Sequence, residues 1–288
     1  MSDARQETTL VLGGTGKTGR RVVERLRTRD LPVRVGSRQG EPPFDWDETD
    51  TWAPALRGVT SAYISFVPDV AVPGAAATVE ALAELAVASG VRRLVLLSGR
   101  GELEAGRAEQ AVQAAGAEWT IVRCSWFNQN FSEGFFLEPI RSGELALPVD
   151  TVPEPFVDAE DIADVAVAAL TEDRHAGHVY ELTGPRLLRF EQAVEEIERA
   201  SGRPVGFVPL SIDDYVSAVA EQGTPDEVVW LMRYLFTEVL DGRNAQLADG
   251  VQRALGREPR GFGDYAERTA ATGVWAERVA GEAYSAAS

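Results

Sequence analysis

The sequence predicts an α/β fold, a doubly wound parallel sheet with helices on both faces and a smaller, mostly helical C-terminal lobe. Three observations predict it. Short apolar runs alternate with amphipathic helical stretches up to residue 123, the rhythm of βαβ units. A glycine-rich segment, "LVLGGTGKTGRRVVERL" (10–26), separates the first apolar run from the first helical pattern. Beyond about residue 130 the alternation gives way to irregular aromatic sequence and then to helical patterns.

The elements follow in order. "TTLVL" is the first strand, and Val22, Val23 and Leu26 mark one face of the helix after it. "PVRVG" reads as a second strand and "FDW" as a third, followed by a short helical piece to Leu56 that stops at Gly58. "SAYISFV" is a fourth strand, and Val79, Leu82, Ala83, Leu85 and Ala86 keep a helical period up to the stop at Gly90. "RRLVLLS" is a fifth strand, the segment from Glu102 to Ala115 a helix, and "EWTIVR" a sixth strand. After the irregular "NQNFSEGFFLEPIRSGELALP", Asp158 caps a helix, with Asp161 three residues on and Ile162, Val165, Ala166 and Ala169 along one face. "HVYELTG" reads as another strand, and the helix carrying Phe190, Ala193, Val194, Ile197 and Ala200 closes at Gly202. "TPDEVVWLMRYLFTEVLDG" opens with Thr224 as cap, Pro225 at the first position and Glu227 completing a capping box. Its Trp230, Tyr234 and Phe236 lie off the main apolar face, where another chain would dock; oligomeric state is not readable.

The bulk numbers narrow the function classes. Hydrophobic content of 44% and charged content of 25% are those of an ordinary soluble protein. The opening "MSDARQE" is polar and no apolar run reaches membrane-spanning length, so a cytoplasmic location is expected. Cys124 is alone, which rules out an intramolecular disulfide. Forty-five acidic residues against 28 basic ones give a net charge of −17, a poor background for a face that neutralises nucleic-acid phosphates. His175 and His178, beside Gly177, read as a solvated loop, and with one cysteine they do not make a zinc site of the usual ligand set, so no metal is expected.

The glycine loop carries the chemistry. Gly13, Gly16 and Gly19 sit between a strand and a helix. A dinucleotide pyrophosphate needs that setting, with backbone N–H groups at a helix start and no side chains in the way. A Walker-type phosphate loop is excluded, because "GKTG" begins only three residues after Gly13. An NAD site places a carboxylate on the ribose about twenty residues later. Here the second strand ends at Ser37 and Arg38, with no carboxylate before Glu41. Arg38 suits a 2′-phosphate and Lys17 could join it, which favours NADP(H) over NAD(H). Residues 1–150 are thus expected to form the NAD(P)-binding core, and 151–288 to return to that core and build the lobe over its carboxyl edge.

The chain resembles the NmrA-like group of atypical short-chain dehydrogenase/reductases. The resemblance rests on "VLGGTGKTGRRVV", "VRVGSR", "FDWDETDTWAPALRGV", "VRRLVLLSGRGE", "EWTIVRCSWFNQNF", "PFVDAEDIADVA" and "GFGDYAERTAATGVW", spread over nearly the whole length. It implies a seven-stranded Rossmann-type sheet. It further implies that Gly13, Thr15, Gly16, Lys17, Thr18 and Gly19 wrap the pyrophosphate and adenine ribose, that Arg38 meets the 2′-phosphate, and that Asp45 and Trp46 meet the adenine. Phe66, Val67 and Pro68 would pass under the cofactor and Ser98 would lie near the nicotinamide ribose. Where the group usually has Arg-Pro beside the nicotinamide, this chain has Arg123-Cys124.

Lys17 is the only lysine. The Tyr-x-x-x-Lys pair, in which the lysine lowers the tyrosine's pKa for proton transfer to a carbonyl, therefore cannot exist here. Two readings follow. One is a reductase whose conjugated acceptor (a quinone, an iminium or another cation) takes a hydride with little acid assistance, inside an aromatic cleft lined by Trp126, Phe127, Phe131, Phe135 and Phe136 with Asn128 and Asn130 as polar fixtures. Glu104 and Arg107 are placed to assist by sequence position alone. The other is a non-catalytic NADP(H) sensor that reports redox state to a protein partner. Cys124 has no histidine near it in sequence and reads as a small apolar filler rather than a nucleophile.

Overall fold

The computed structural model describes residues 7–276, so all but the last residue of "MSDARQE" and the end of the second expected domain lie outside the described residues. The chain runs β1 (Thr8–Leu12), α1 (Gly19–Thr28), β2 (Val33–Gly36), α2 (Trp52–Leu56), β3 (Val59–Ile64), α3 (Ala75–Ala88), β4 (Arg93–Gly99), α4 (Leu103–Ala114) and β5 (Glu118–Cys124). It continues with α5 (Leu137–Arg141), β6 (Glu144–Leu147), α6 (Ala159–Thr171), β7 (His178–Leu182), α7 (Phe190–Ser201) and β8 (Gly206–Pro209). The last elements are α8 (Ile212–Glu221), α9 (Asp226–Tyr234), α10 (Gly250–Leu255) and α11 (Phe262–Ala270).

Six parallel strands form the main sheet in the order β2-β1-β3-β4-β5-β7. The order reverses at β1, whose neighbours are β2 on one side and β3 on the other, and ligands of such sheets bind in the crevice at that reversal. One face buries Leu10, Leu12, Ile64, Leu94 and Leu96 against α3 and α4, and the other buries Val11, Tyr63, Val95 and Val122 against α1 and α6. Helix α6 and strand β7, both beyond residue 150, complete this layered unit.

The expected seventh strand is absent among the described residues. "FDW" forms no ladder; Phe44, Trp46 and Trp52 pack on one another instead, with Phe44 and Trp52 stacked at 6.2 Å. Two prolines precede this segment and withhold the N–H donors a strand needs. The lobe has a feature that periodicity did not reveal, the short parallel pair β6–β8. Its core is aromatic, with Phe131, Phe156, Phe190 and Phe262 in mutual contact.

Cap and loop expectations divide. Asp158 caps α6, its side chain accepting from the Glu160 N–H, but Asp161 turns to Arg257 and Arg260 instead of back to the cap. Helix α9 starts at Asp226 with Pro225 at the cap and no side-chain bond, so Thr224 is not its cap. The chain continues as a π-turn, Leu235–Val239. Phe236 is buried in the lobe core and Trp230 stacks on Tyr234 at 5.3 Å, whose hydroxyl accepts from the Leu103 N–H. These three rings therefore do not form a common outer face. His175 is fully buried against the Tyr180 hydroxyl at 2.9 Å, so only His178 sits in a solvated position.

Candidate functional site

A cleft of about 720 Å³ runs along the carboxyl edge of the sheet. Its first end is the glycine loop between β1 and α1. Gly13 adopts φ +62°, a left-handed turn that glycine reaches without strain. A Cβ at Gly19 would stand 2.1 Å from the Gly13 carbonyl oxygen, so α1 can begin this close to the strand only with glycine there. Thr15 and Gly16 are exposed to the cleft, Lys17 is half-buried, and the Thr18 hydroxyl accepts a hydrogen bond from Tyr63 in β3 at 3.0 Å. Burial pushes the Lys17 ammonium pKa down, opposed by Glu133 and Asp69.

Arg38 is exposed on the cleft wall at the end of β2. Among the described residues no hydrogen bond or ion pair engages its guanidinium. Asp45, Trp46, Phe66, Val67 and Pro68 continue the wall. Trp46 lies 4.7 Å from Phe66, and its buried indole N–H has no partner among the described residues. Exposed glycine backbone at a helix start, an unengaged cation and an indole donor without a partner fit a dinucleotide carrying negative phosphates.

The other end is built by the termini of β4 and β5 and by the lobe. Leu97, Ser98, Gly99, Arg100, Glu102, Cys124, Ser125, Trp126, Phe127, Asn130 and Glu154 line it, with Leu235, Val239 and Asn244 contributed by the lobe. The two apolar members of that trio bracket the π-turn, a type of irregularity that frequently marks functional sites. Arg100, 4% exposed, donates to the Ser125 hydroxyl and to the carbonyls of Asn244 and Gln246, tying the sheet edge to the lobe. The Ser98 hydroxyl is bound to Glu109 at 2.6 Å, and Glu109 in turn pairs with Arg123.

Three parallel comparisons with known proteins bear on this site. A family model described as NAD(P)H-binding matches residues 13–173. The NAD(P)H azoreductase of Xenophilus azovorans is 31% identical over 91% of this chain and 98% of its own, and the agroclavine dehydrogenase of Claviceps fusiformis is 29% identical over 90% and 96%. In fold, the chain is similar to the NADPH-dependent quinone oxidoreductase of Escherichia coli complexed with NADPH, with a TM-score of 0.75 at 19% identity over 90% of this chain and 99% of the other. The chain belongs to the NmrA-like, NAD(P)H-binding oxidoreductase family.

Within this NmrA-like chain the expected site residues separate. The loop residues, Arg38, Asp45, Trp46, Phe66, Val67, Pro68, Ser98, Cys124, Trp126, Phe127 and Asn130 come together around the cleft, with Gly19 packed directly behind the loop. Phe131 and Phe135 do not line it. Phe131 is fully buried in the lobe core, its carbonyl accepting from the Trp275 indole, and Phe135 is 64% exposed. Phe136 backs Trp126 by stacking at 6.3 Å, and Asn128 is fully buried away from the cleft wall. Glu104 accepts from the Gly74 and Ala76 N–H groups at the start of α3, and Arg107 pairs with Glu104 at the surface. Neither reaches the cleft wall.

Cys124 is 5% exposed and burial pushes its thiol pKa well up, which keeps it protonated and unreactive. Sequence reading overlooked Asp69, Glu102 and Glu154 on the wall. Glu102 stands over Gly99, where a Cβ would meet its carboxyl oxygen at 2.1 Å, and its Oε2 has no partner among the described residues. Burial, then Asp69 and Glu109, push the Glu102 carboxyl pKa well up. The only signal for Glu154 was its setting between two prolines in "VPEPF".

Among the described residues no helix is long and apolar enough to cross a membrane.

Proposed function

We propose that this chain is an NADP(H)-dependent reductase that passes a hydride to a small conjugated acceptor of quinone, iminium or other cationic type. One observation carries the reading: a single cleft runs from the glycine loop and Arg38 to an aromatic and carboxylate-lined end beneath the lobe. Its volume is within the range of sites that enclose a small molecule.

In this reading the glycine loop and the α1 N-terminus hold the pyrophosphate, Arg38 with Lys17 holds the 2′-phosphate, and Trp46 and Asp45 flank the adenine. When bound, the nicotinamide supplies the hydride. Trp126, Phe127, Leu235 and Val239 shape a mostly apolar space that excludes water and presents the acceptor's flat face. Glu102 and Glu154 line the same end and add polar groups to it. The relatives named for azo and clavine chemistry act on small molecules, which agrees with this class. A cytoplasmic setting, with no direct nucleic-acid contact, belongs to the same proposal.

Calorimetric titration with NADPH, NADP⁺, NADH and NAD⁺, followed by NADPH-oxidation assays with a quinone, an azo dye and a cationic triarylmethane dye, tests the reading. Binding of the phosphorylated pair and turnover with at least one acceptor are expected. Binding without turnover, with NADPH and NADP⁺ differing strongly in affinity, would instead support the redox-sensor alternative, which the absent Tyr/Lys pair accommodates equally well. No binding to any of the four would overturn both.

A further inference from the structure

The missing lysine leaves open where a proton comes from when an acceptor needs one. A quinone that receives a hydride becomes an oxyanion and must be protonated, whereas an iminium or triarylmethyl cation is neutral once the hydride arrives. A protein serving the first kind gains from a positioned acid.

Glu154 has that position. It lies between Pro153 and Pro155, and its own N–H and C=O both bond to Leu188, at 2.9 and 3.0 Å, so its main chain is clamped. Its side chain is 1% exposed yet forms part of the cleft wall with Ser125, Trp126 and Asn130. One carboxyl oxygen accepts from the Trp126 N–H at 3.3 Å, and the Ser125 hydroxyl is a second partner. That segment directly follows Cys124 at the carboxyl end of β5, on the wall of the same cleft.

The charges around it are few. Arg100, from the loop after β4, attracts the carboxylate form, but its guanidinium is shared with Glu181 of β7 and with the lobe carbonyls. Glu102 lines the same cleft from that loop, and Cys124 ends β5 as a buried thiol. Burial outweighs the hydrogen bonds and Arg100, and pushes the Glu154 pKa up to about 7. Glu102 and Asp69 are the other cleft acids whose pKa burial pushes up; Glu102 has one carboxyl oxygen without a partner among the described residues, and Asp69 accepts from the Ala71 N–H and feels the opposing charge of Lys17.

Resting on the reductase reading above, we propose that Glu154 is the proton donor of this protein for acceptors whose reduction requires one. With NADPH as the hydride source, a quinone becomes the hydroquinone monoanion. Its oxyanion then takes the proton of the Glu154 carboxyl, the acid O–H bond breaking as the phenolic O–H bond forms. The carboxylate regains a proton from solvent, so quinone, NADPH and one proton give hydroquinone and NADP⁺. Glu154 replaces the function of the absent Tyr/Lys pair without its geometry.

The test compares wild type with Glu154→Gln, which keeps an acceptor for the Trp126 N–H, and with Glu102→Gln, after thermal melting has shown all three folded. The expected result is that kcat/KM for a quinone, relative to that for a cationic triarylmethane dye, falls about 100-fold in Glu154→Gln. The limb of the quinone pH profile near neutrality should disappear with it. A ratio unchanged in Glu154→Gln, or one lost in Glu102→Gln instead, overturns the assignment. A second readout needs neither cofactor nor turnover. Infrared titration of the free protein should show a protonated-carboxyl band that fades with a midpoint near neutral pH and is missing in Glu154→Gln. A Glu154 carboxylate ionised throughout the neutral range overturns the proposal whatever the rates. Failure of the wild type to oxidise NADPH with any acceptor, with that band present, would instead count against the reductase reading.

Discussion

The two ends of the cleft are built by opposite means. At the glycine loop, residues 13–19 lie in one short segment and shape the site through backbone conformation, with Arg38 added from the next strand end. At the far end, Glu102, Cys124, Glu154 and Val239 come from four separated segments, and the site exists only because β4, β5 and the lobe pack together. The first end uses open main chain, the exposed Arg38 and the half-buried Lys17. The second uses buried carboxyls whose proton affinity is raised by desolvation. A local site is specified by a motif, and an assembled site by packing.

The comparison can be broken at the loop most directly. Gly19→Val puts side-chain atoms against the Gly13 carbonyl. It should remove NADPH binding from the calorimetric range, a loss of at least ~4 kcal/mol. Unaltered affinity would mean that the loop does not hold the cofactor.

The far end sharpens the contrast through pH. The Glu154 pKa is raised from an ordinary value of 4.5 to about 7 in the folded chain. The folded state therefore holds a proton that the unfolded state releases, so its stabilising contribution is complete below about pH 4.5 and lost as pH rises through about 7. Glu154→Gln should flatten that decline by ~3 kcal/mol, read from denaturant unfolding across the interval. Parallel curves for the two proteins would place the Glu154 carboxyl at an ordinary pKa.

Arg38→Ala should weaken NADPH by ~10- to 100-fold, the value of one charge-assisted contact, and leave NADH nearly untouched. Equal weakening of both would end the 2′-phosphate assignment. The smallest effect is expected at Cys124, where alanine removes one buried sulfur. About 1 kcal/mol of stability should go, with NADPH oxidation retained. Inactivation out of proportion to that loss would reveal thiol chemistry that the buried, protonated state argues against.

Legibility in the sequence followed the same division. The six strands of the sheet, the long helices and the Gly90 and Gly202 stops can be read from period and punctuation. "FDW" misleads because two alternating bulky aromatics score as a strand, while the sheet has no place for them and the rings of Phe44 and Trp46 pack against each other and Trp52. Phe131 and Phe135 mislead because a run of aromatics does not say which ring turns inward; one fills the lobe core and the other faces solvent. Glu104 and Arg107 lie close in sequence to Arg100, yet the helix carries them to the start of α3 and to the surface.

By itself the sequence determined the layered α/β class, the nucleotide loop and the absence of a Tyr-x-x-x-Lys pair. Each is a matter of local pattern or of composition, and none depends on distant contacts. Only the tertiary structure decided which aromatics face the cleft, that Cys124 is buried at its wall, and that Glu154 stands buried there too. The reason is physical: burial and the resulting proton affinity are properties of what surrounds a side chain, and for these residues the surroundings come from parts of the chain far removed in sequence.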